Sequence, residues 1–258
     1  MPRQVNKQKA HGAAFRLYQK LRMKRPGQLD FEDVAMFRNV LVKEGRIKGS
    51  MARLVRANDE GIIRLSSRIK ETGARNFAIC HELGHWELHE NESQTFFCTA
   101  EKLADYHSDP MEAEANIFAS ELLMPTFLIR PRIEKIDPSL HLLSTISKEF
   151  GSSLTATAVR FMHLSRRDCI VAYIRDGKIA WSWKKDGFTR AYLKRGQAIR
   201  RGSLAWELEN NGATSIEPDS IEPDSWFSHL NYPFHGELQE HTIKMPGYNS
   251  LLTLLWIP

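Results

Sequence analysis

The spacing of apolar and polar positions along this chain changes several times, and each change marks an expected element. Between residues 8 and 24, Ala10, Ala13, Ala14, Leu17, Tyr18 and Leu21 recur at helical intervals with basic residues between them, until Pro26-Gly27 breaks the pattern. Asp30 is a suitable N-cap for a second helix through Val34, Phe37, Val40 and Leu41, ending near Gly45. The period then shortens to two. Met51–Ala57 and Ile62–Ser66 flank Asn58-Asp59-Glu60-Gly61 and predict a hairpin. Residues 71–90 return to a helical pattern without proline, and a polar, Phe-rich stretch (91–108) follows. Asp109-Pro110 opens a further helix that closes at Met124-Pro125. Residues 139–165 predict two short helices joined at Gly151-Ser152, and CIVAYI, Asp176-Gly177 and KIAWSW predict a second hairpin. The remainder reads as strands and long loops. Within it the tandem copies of SIEPD (215–219 and 220–224) predict an acidic surface loop. The fold class is α+β.

Composition narrows the setting. Of 258 residues, 42% are hydrophobic and 10% aromatic, which excludes a disordered chain. The longest apolar run, LLTLLWI at 251–257, is far short of the roughly 20 residues that cross a bilayer. No apolar segment follows the basic start MPRQVNKQKAHGAAF, so neither a secretory signal nor a membrane partner is expected. Cys80, Cys98 and Cys169 are too few and too scattered for a disulfide framework or a thiolate zinc cage, and a reducing, cytoplasmic setting fits. The formal charge of +5 is uneven: residues 1–29 hold eight Lys and Arg and no acid, whereas the rest holds 28 basic against 31 acidic residues. This basic arm reads as the polar face of a solvated helix, with contact to nucleic acid or an acidic partner as the alternative.

The segment RNFAICHELGHWELHE (75–90) carries the chemistry. It contains His81-Glu82-x-x-His85, and on a helix positions i and i+4 lie on one face, so both imidazoles can reach one cation. Zinc takes such nitrogen ligands, and Glu82 beside the first histidine is placed to exchange a proton with metal-bound water. His89 extends the stripe, but on a straight helix it is too far from His81 to share the same ion; it reads as a helix-end or supporting residue. A catalytic zinc needs a third protein ligand. Glu112, on the next helix, is favoured, with Glu114 and then His107 as alternatives. Asn116, one turn after Glu112, is placed to orient a ligand. Glu112, Asn116, Ala119 and Leu123 form a face with small residues that allow close packing on the His81 helix, whereas Glu114 and Glu121 read as solvated. Cys80 points away from the metal face into the core.

Taken together, RNFAICHELGHWELH and EAEANIFASELLMP resemble the ImmA/IrrE family of metallopeptidases, whose E-x-x-A-N motif matches Glu112-Ala113-Glu114-Ala115-Asn116. The resemblance continues through ISKEFGSSLTATAVRFMHLS (146–165), similar to that family's helix-turn-helix-like segment, and more weakly through CIVAYIRDGKIAWSW, covering about residues 50–183. It implies a gluzincin-like zinc endopeptidase with His81, His85 and Glu112 as ligands and Glu82 as general base. It also implies a protein substrate, a repressor on DNA that governs a mobile element or a stress response. The implied organisation is a zincin-like metallopeptidase domain with basic N-terminal helices (1–136), a helix-turn-helix-like unit (137–167) and a β-rich C-terminal region (168–258). On this reading Ile62, Ile63, Arg64 and Leu65 form an edge strand that pairs with extended substrate. Tyr106, His163 and Tyr173 are candidates for stabilising the oxyanion. Direct nucleic-acid binding by residues 139–165 is not favoured, since the second helix offers only Arg160, Arg166 and Arg167 for base edges. Trp181 and Trp183 read as packed core. The alternative function is a DNA- or protein-binding regulator with a structural or inactive metal site.

Overall fold

A computed structural model describes residues 3–90, 109–134, 136–185, 188, 192–211, 215–227, 237–245 and 249–258. Among them the chain is α+β, with eight α-helices and two sheets. It divides into two compact units, Met1–Ile129 with Ser147–Ser153 and Arg130–Ile146 with Leu154–Pro258. None of the helices formed by the described residues is long and apolar enough to cross a membrane.

In the first unit, α1 (Lys7–Leu21) starts where the Asn6 side chain accepts the Lys9 N–H, and it buries Ala10, Ala13, Ala14, Leu17 and Tyr18. Helix α2 (Phe31–Phe37) is capped by the Asp30 carboxylate but is shorter than the pattern predicted. Asn39 turns the chain through a left-handed conformation (φ 58°), and Val40–Gly45 is strand β1, not helix. Phe37, Val40 and Leu41 suit either period; parallel pairing with a later strand decides in favour of β. Strands β2 (Ala52–Ala57) and β3 (Glu60–Ser66) form the expected hairpin, with Ala57 paired to Glu60 across Asn58-Asp59. The sheet order is β1-β3-β2. This overturns the edge-strand expectation for Ile62, Ile63, Arg64 and Leu65. Their backbone groups lie in the central strand, committed to β1 on one side and β2 on the other.

Helix α3 (Thr72–Leu88) packs on β2 and β3, where Ala52, Leu54, Ile63 and Leu65 are buried. Helix α4 (Pro110–Leu123) has the expected start, with Asp109 accepting the Met111 N–H and Pro110 in the first turn. It packs against both α3 and α1. The contact with α3 is made by backbone: a Cβ added at Gly84 would lie 2.9 Å from Ala115 Cα and 3.0 Å from its carbonyl oxygen. After α5 (Thr126–Ile133) come α6 (Leu140–Phe150) and α7 (Leu154–Leu164), joined through Gly151 at φ 61°. The joining turn belongs to the first unit, where Asn76 Nδ2 donates to the Gly151 carbonyl at 2.8 Å.

The second unit is built on a five-stranded antiparallel sheet in the order β5-β4-β8-β7-β6, with β4 (Cys169–Arg175), β5 (Lys178–Lys184), β6 (Ser215–Ile221), β7 (Leu238–Lys244) and β8 (Ser250–Trp256). Asp176 (φ 51°) and Gly177 (φ 67°) make the two-residue β4–β5 turn that Asp-Gly predicts. Trp181 and Trp183 are half-buried, with Trp181 stacked on Tyr173 at 5.4 Å. Helix α8 (Leu204–Asn211) is tied to β7 by one buried side chain, Glu240, which accepts the Leu204 and Ala205 N–H groups (3.1 and 2.7 Å) and the Trp226 indole N–H (2.6 Å). The SIEPD repeat is not a loop. Its first copy lies in edge strand β6, and a register shift between Ile216 and Asp219 leaves Glu217-Pro218 out of the ladder, a place where the missing proline N–H costs nothing. The second copy leaves the strand after Ile221, and Pro223–Ser225 forms a 3-10 turn.

Two outcomes test this packing. Replacing Gly84 by Val forces α3 and α4 apart and should lower stability by roughly 1–3 kcal/mol in urea unfolding. Burial pushes His241 down to about 4, whereas the unfolded chain protonates its histidines near 6.5. The unfolded state therefore binds the extra proton between these values, so stability should fall as pH drops from about 6.5 to 4. A His241→Asn variant should lose part of that slope in pH-dependent denaturation.

Candidate metal centre

Helix α3 places His81 and His85 in one stripe that His89, its C-cap residue, continues, all three buried. The Nε2 atoms of His81 and His85 are 3.1 Å apart. From the first turn of α4, Glu112 brings Oε2 to 3.2 Å from His81 Nε2 and Oε1 to 3.8 Å from His85 Nε2. One donor atom from each of the three residues lies within 4.8 Å of the other two. Ligands held about 2.0–2.2 Å from a tetrahedral zinc stand about 3.3–3.6 Å from one another, so this donor set has both the chemistry and the spacing for one ion. Protonation also suits metal binding. Burial pushes His85 down to about 3, leaving a neutral imidazole. Burial alone would raise Glu112, but its interaction with His81 and His85 outweighs that and holds the carboxyl below the usual carboxylate range.

Each histidine is held from behind. His81 Nδ1 is 2.8 Å from Asn116 Oδ1, one turn beyond Glu112 on α4. His85 Nδ1 is 3.0 Å from His89 Nδ1, and His89 Nε2 is 3.0 Å from Glu114 Oε2. Glu114 also accepts the Asn6 backbone N–H at 2.7 Å and the Arg3 guanidinium at 2.9 Å. Burial lowers His89, opposed by Glu114. Glu114 itself is lowered, because the Asn6 N–H, His89 and Arg3 together outweigh its own burial.

Several sequence expectations are corrected here. Glu114 and Glu121 are buried, not solvated, because α1 covers that face of α4. Glu121 accepts from the Thr126 N–H and hydroxyl and faces His11 Nδ1 at 3.1 Å. Nor is the basic arm simply a solvated face: Arg3 reaches Glu114, and Lys9 Nζ donates to the Leu88 carbonyl at the end of α3 (2.7 Å). Among the candidates for a third donor, Glu112 lies at the two histidines and Glu114 lies behind His89. His107 is outside the described residues, as are Tyr106 and Cys98. Glu82 and Cys80 are fully buried on α3. His163 is exposed near the end of α7, and the Tyr173 hydroxyl is 2.7 Å from Ser250 Oγ; both belong to the second unit. Arg160 is buried, unlike a side chain that reads base edges. Sequence reasoning missed Arg3 and Asn6. The only signals were the acid-free run at residues 1–29 and the second glutamate in the first turns of α4.

No curated protein sequence matches the chain. Among solved structures, a Mycobacterium tuberculosis transcriptional regulator aligns over 96% of this chain and 76% of that chain, with a TM-score of 0.63 and 14% identity. That likeness is one of fold. The family model described as the IrrE N-terminal-like domain, Peptidase_M78, matches residues 37–162, a span that takes in the whole three-stranded sheet, α3, α4 and the His81–His85–Glu112 cluster. Residues 37–162 of this chain therefore match the IrrE N-terminal-like domain of the Peptidase_M78 family.

Proposed function

We propose that this chain is a zinc-dependent endopeptidase that cuts a specific protein partner, such as a transcriptional repressor bound to DNA. The match over residues 37–162 points to a metallopeptidase-like or regulatory protein. The observation that favours the enzyme is the buried convergence of His81, His85 and Glu112 with Glu82 in the same helical turn. His81, His85 and Glu112 would hold the ion. When bound, zinc supplies a Lewis acid for the attacking water and the peptide carbonyl.

The chain's own residues do the rest. Glu82 takes a proton from the attacking water and returns it to the leaving amine, so the amine departs neutral. Asn116 accepts from His81 Nδ1–H, which turns the Nε2 lone pair toward the ion and fixes the ring. Burial strengthens each of these interactions by lowering the local dielectric. A regulator with a purely structural site would have no use for a carboxylate beside the first histidine. Structural zinc sites are also closed by four protein ligands, whereas three donors converge here among the described residues.

Metal content and cleavage separate the two functions. Mass spectrometry should find about one zinc per chain in wild type and in Glu82→Gln, and little in Glu112→Gln. Co-expression with a repressor encoded beside the gene should show cleavage by wild type and a loss of about 10²–10⁴-fold in Glu82→Gln. Cleavage by Glu82→Gln at the wild-type rate would sink the enzymatic reading. Chelation should lower the melting temperature of wild type and leave that of Glu112→Gln unchanged, because only the former gains stability from the ion.

A further inference from the structure

The basic arm at residues 3–9 sits behind the His81–His85–Glu112 cluster, at the end of an unbroken chain of polar contacts that runs from the surface to buried Glu114, His89 and His85. Glu114, on α4, is the junction. It is 1% exposed and accepts from the Asn6 N–H at 2.7 Å and Arg3 Nη2 at 2.9 Å, and its Oε2 is also 3.0 Å from His89 Nε2. His89 Nδ1 then meets His85 Nδ1 at 3.0 Å. Lys9 pins the arm to the end of α3 through the Leu88 carbonyl.

The direction of every hydrogen bond in this chain follows from one end. A carboxylate can only accept, so His89 Nε2 carries the hydrogen that points at Glu114. A neutral imidazole has one N–H, which leaves His89 Nδ1 as an acceptor. The hydrogen between the two rings must then sit on His85 Nδ1. That tautomer leaves the lone pair of His85 on Nε2, the atom that faces His81 Nε2 and the Glu112 carboxylate. We propose that the arm is part of the metal centre: Arg3 and the Asn6 N–H hold the Glu114 carboxylate, which through His89 fixes the tautomer and ring orientation of His85. Arg3 and Asn6 are thus positioning residues for His85, far from it in sequence but one hydrogen-bonded chain away in space. Displacing the arm would release the ring and weaken metal retention, with every ligand still present.

This inference rests on the zinc site proposed above, and the experiment separates the two. Zinc dissociation constants are measured by chelator competition, and cobalt(II) absorption spectra are recorded, for wild type, Glu112→Gln, Glu114→Gln, His89→Gln, Arg3→Ala and Arg3→Lys. Circular dichroism verifies that each variant is folded. The expected result is a zinc Kd about 10–100-fold weaker for Glu114→Gln and for His89→Gln, with altered ligand-field bands. Arg3→Ala, at a partly exposed position, should weaken binding about 2–5-fold, and Arg3→Lys should recover most of it. The Arg3 pair keeps the test decisive if the buried variants do not fold. Wild-type affinity and spectra in folded Glu114→Gln and Arg3→Ala, alongside zinc loss in Glu112→Gln, would overturn the arm's role and leave the site intact. No zinc binding by wild type would remove both.

Discussion

The cluster of His81, His85 and Glu112 depends on how closely two helix backbones approach. Glu112 reaches His81 and His85 only because α4 crosses α3 where Gly84 presents no side chain to Ala115. Helices usually pack 8–10 Å apart, with side chains setting the distance, and a glycine facing an alanine sets the lower end of that range. The same contact carries Asn116 to His81 and Glu114 to His89, because all three lie on α4 within the turns next to Ala115. One missing Cβ thus governs both the donor set and the groups that orient it. Packing supplies the rest of the rigidity: Ala113, Phe118, Ala119 and Leu122 are buried along α4, and Ile79, Cys80 and Leu83 along α3.

Burial of charge is the second constraint, and both units meet it in the same way. A carboxylate out of water is tolerated only when donors surround it. Glu114 collects a backbone N–H, a guanidinium and an imidazole. In the second unit Glu240 collects two backbone N–H groups at the start of α8, an indole N–H and the Thr242 hydroxyl. The outcomes differ with the donors. At Glu114 the Asn6 N–H, His89 and Arg3 together outweigh burial and hold the carboxyl below its ordinary range, whereas burial dominates at Glu240 and raises it despite four neutral donors. Glu240 is thus a tie between a strand and a helix, and Glu114 is an anionic end point for a chain of histidines.

Much of the local structure was legible in the sequence. Asp109-Pro110, Asp30 and the Asp176-Gly177 turn act through contacts within a few residues, and they appear where spacing and capping placed them. The H-E-x-x-H face was legible for the same reason, since helical periodicity alone brings His81 and His85 together. The failures lie where long-range pairing decides. Val40–Gly45 left the helical pattern to pair with β3, and β3 became a central strand only because β1 joined its far side. The two copies of SIEPD make the point most directly. One begins an edge strand and the other ends in a 3-10 turn, so identical local preferences gave way to different neighbours.

By itself, the sequence determined the α+β class, the helix caps and hairpin turns, and a helix with two histidines at the i, i+4 spacing and a glutamate beside the first. Each of these rests on interactions spanning a handful of residues. Only the tertiary structure decided that Glu112 stands at the histidines while Glu114 stands behind them, because the two differ by two positions on one helix and that helix's docking angle separates them. It also decided that an arm resembling a solvated basic face reaches a buried carboxylate. Arg3 and Glu114 are 111 residues apart, and nothing in local spacing can register a contact that exists only once α1 has packed against α4.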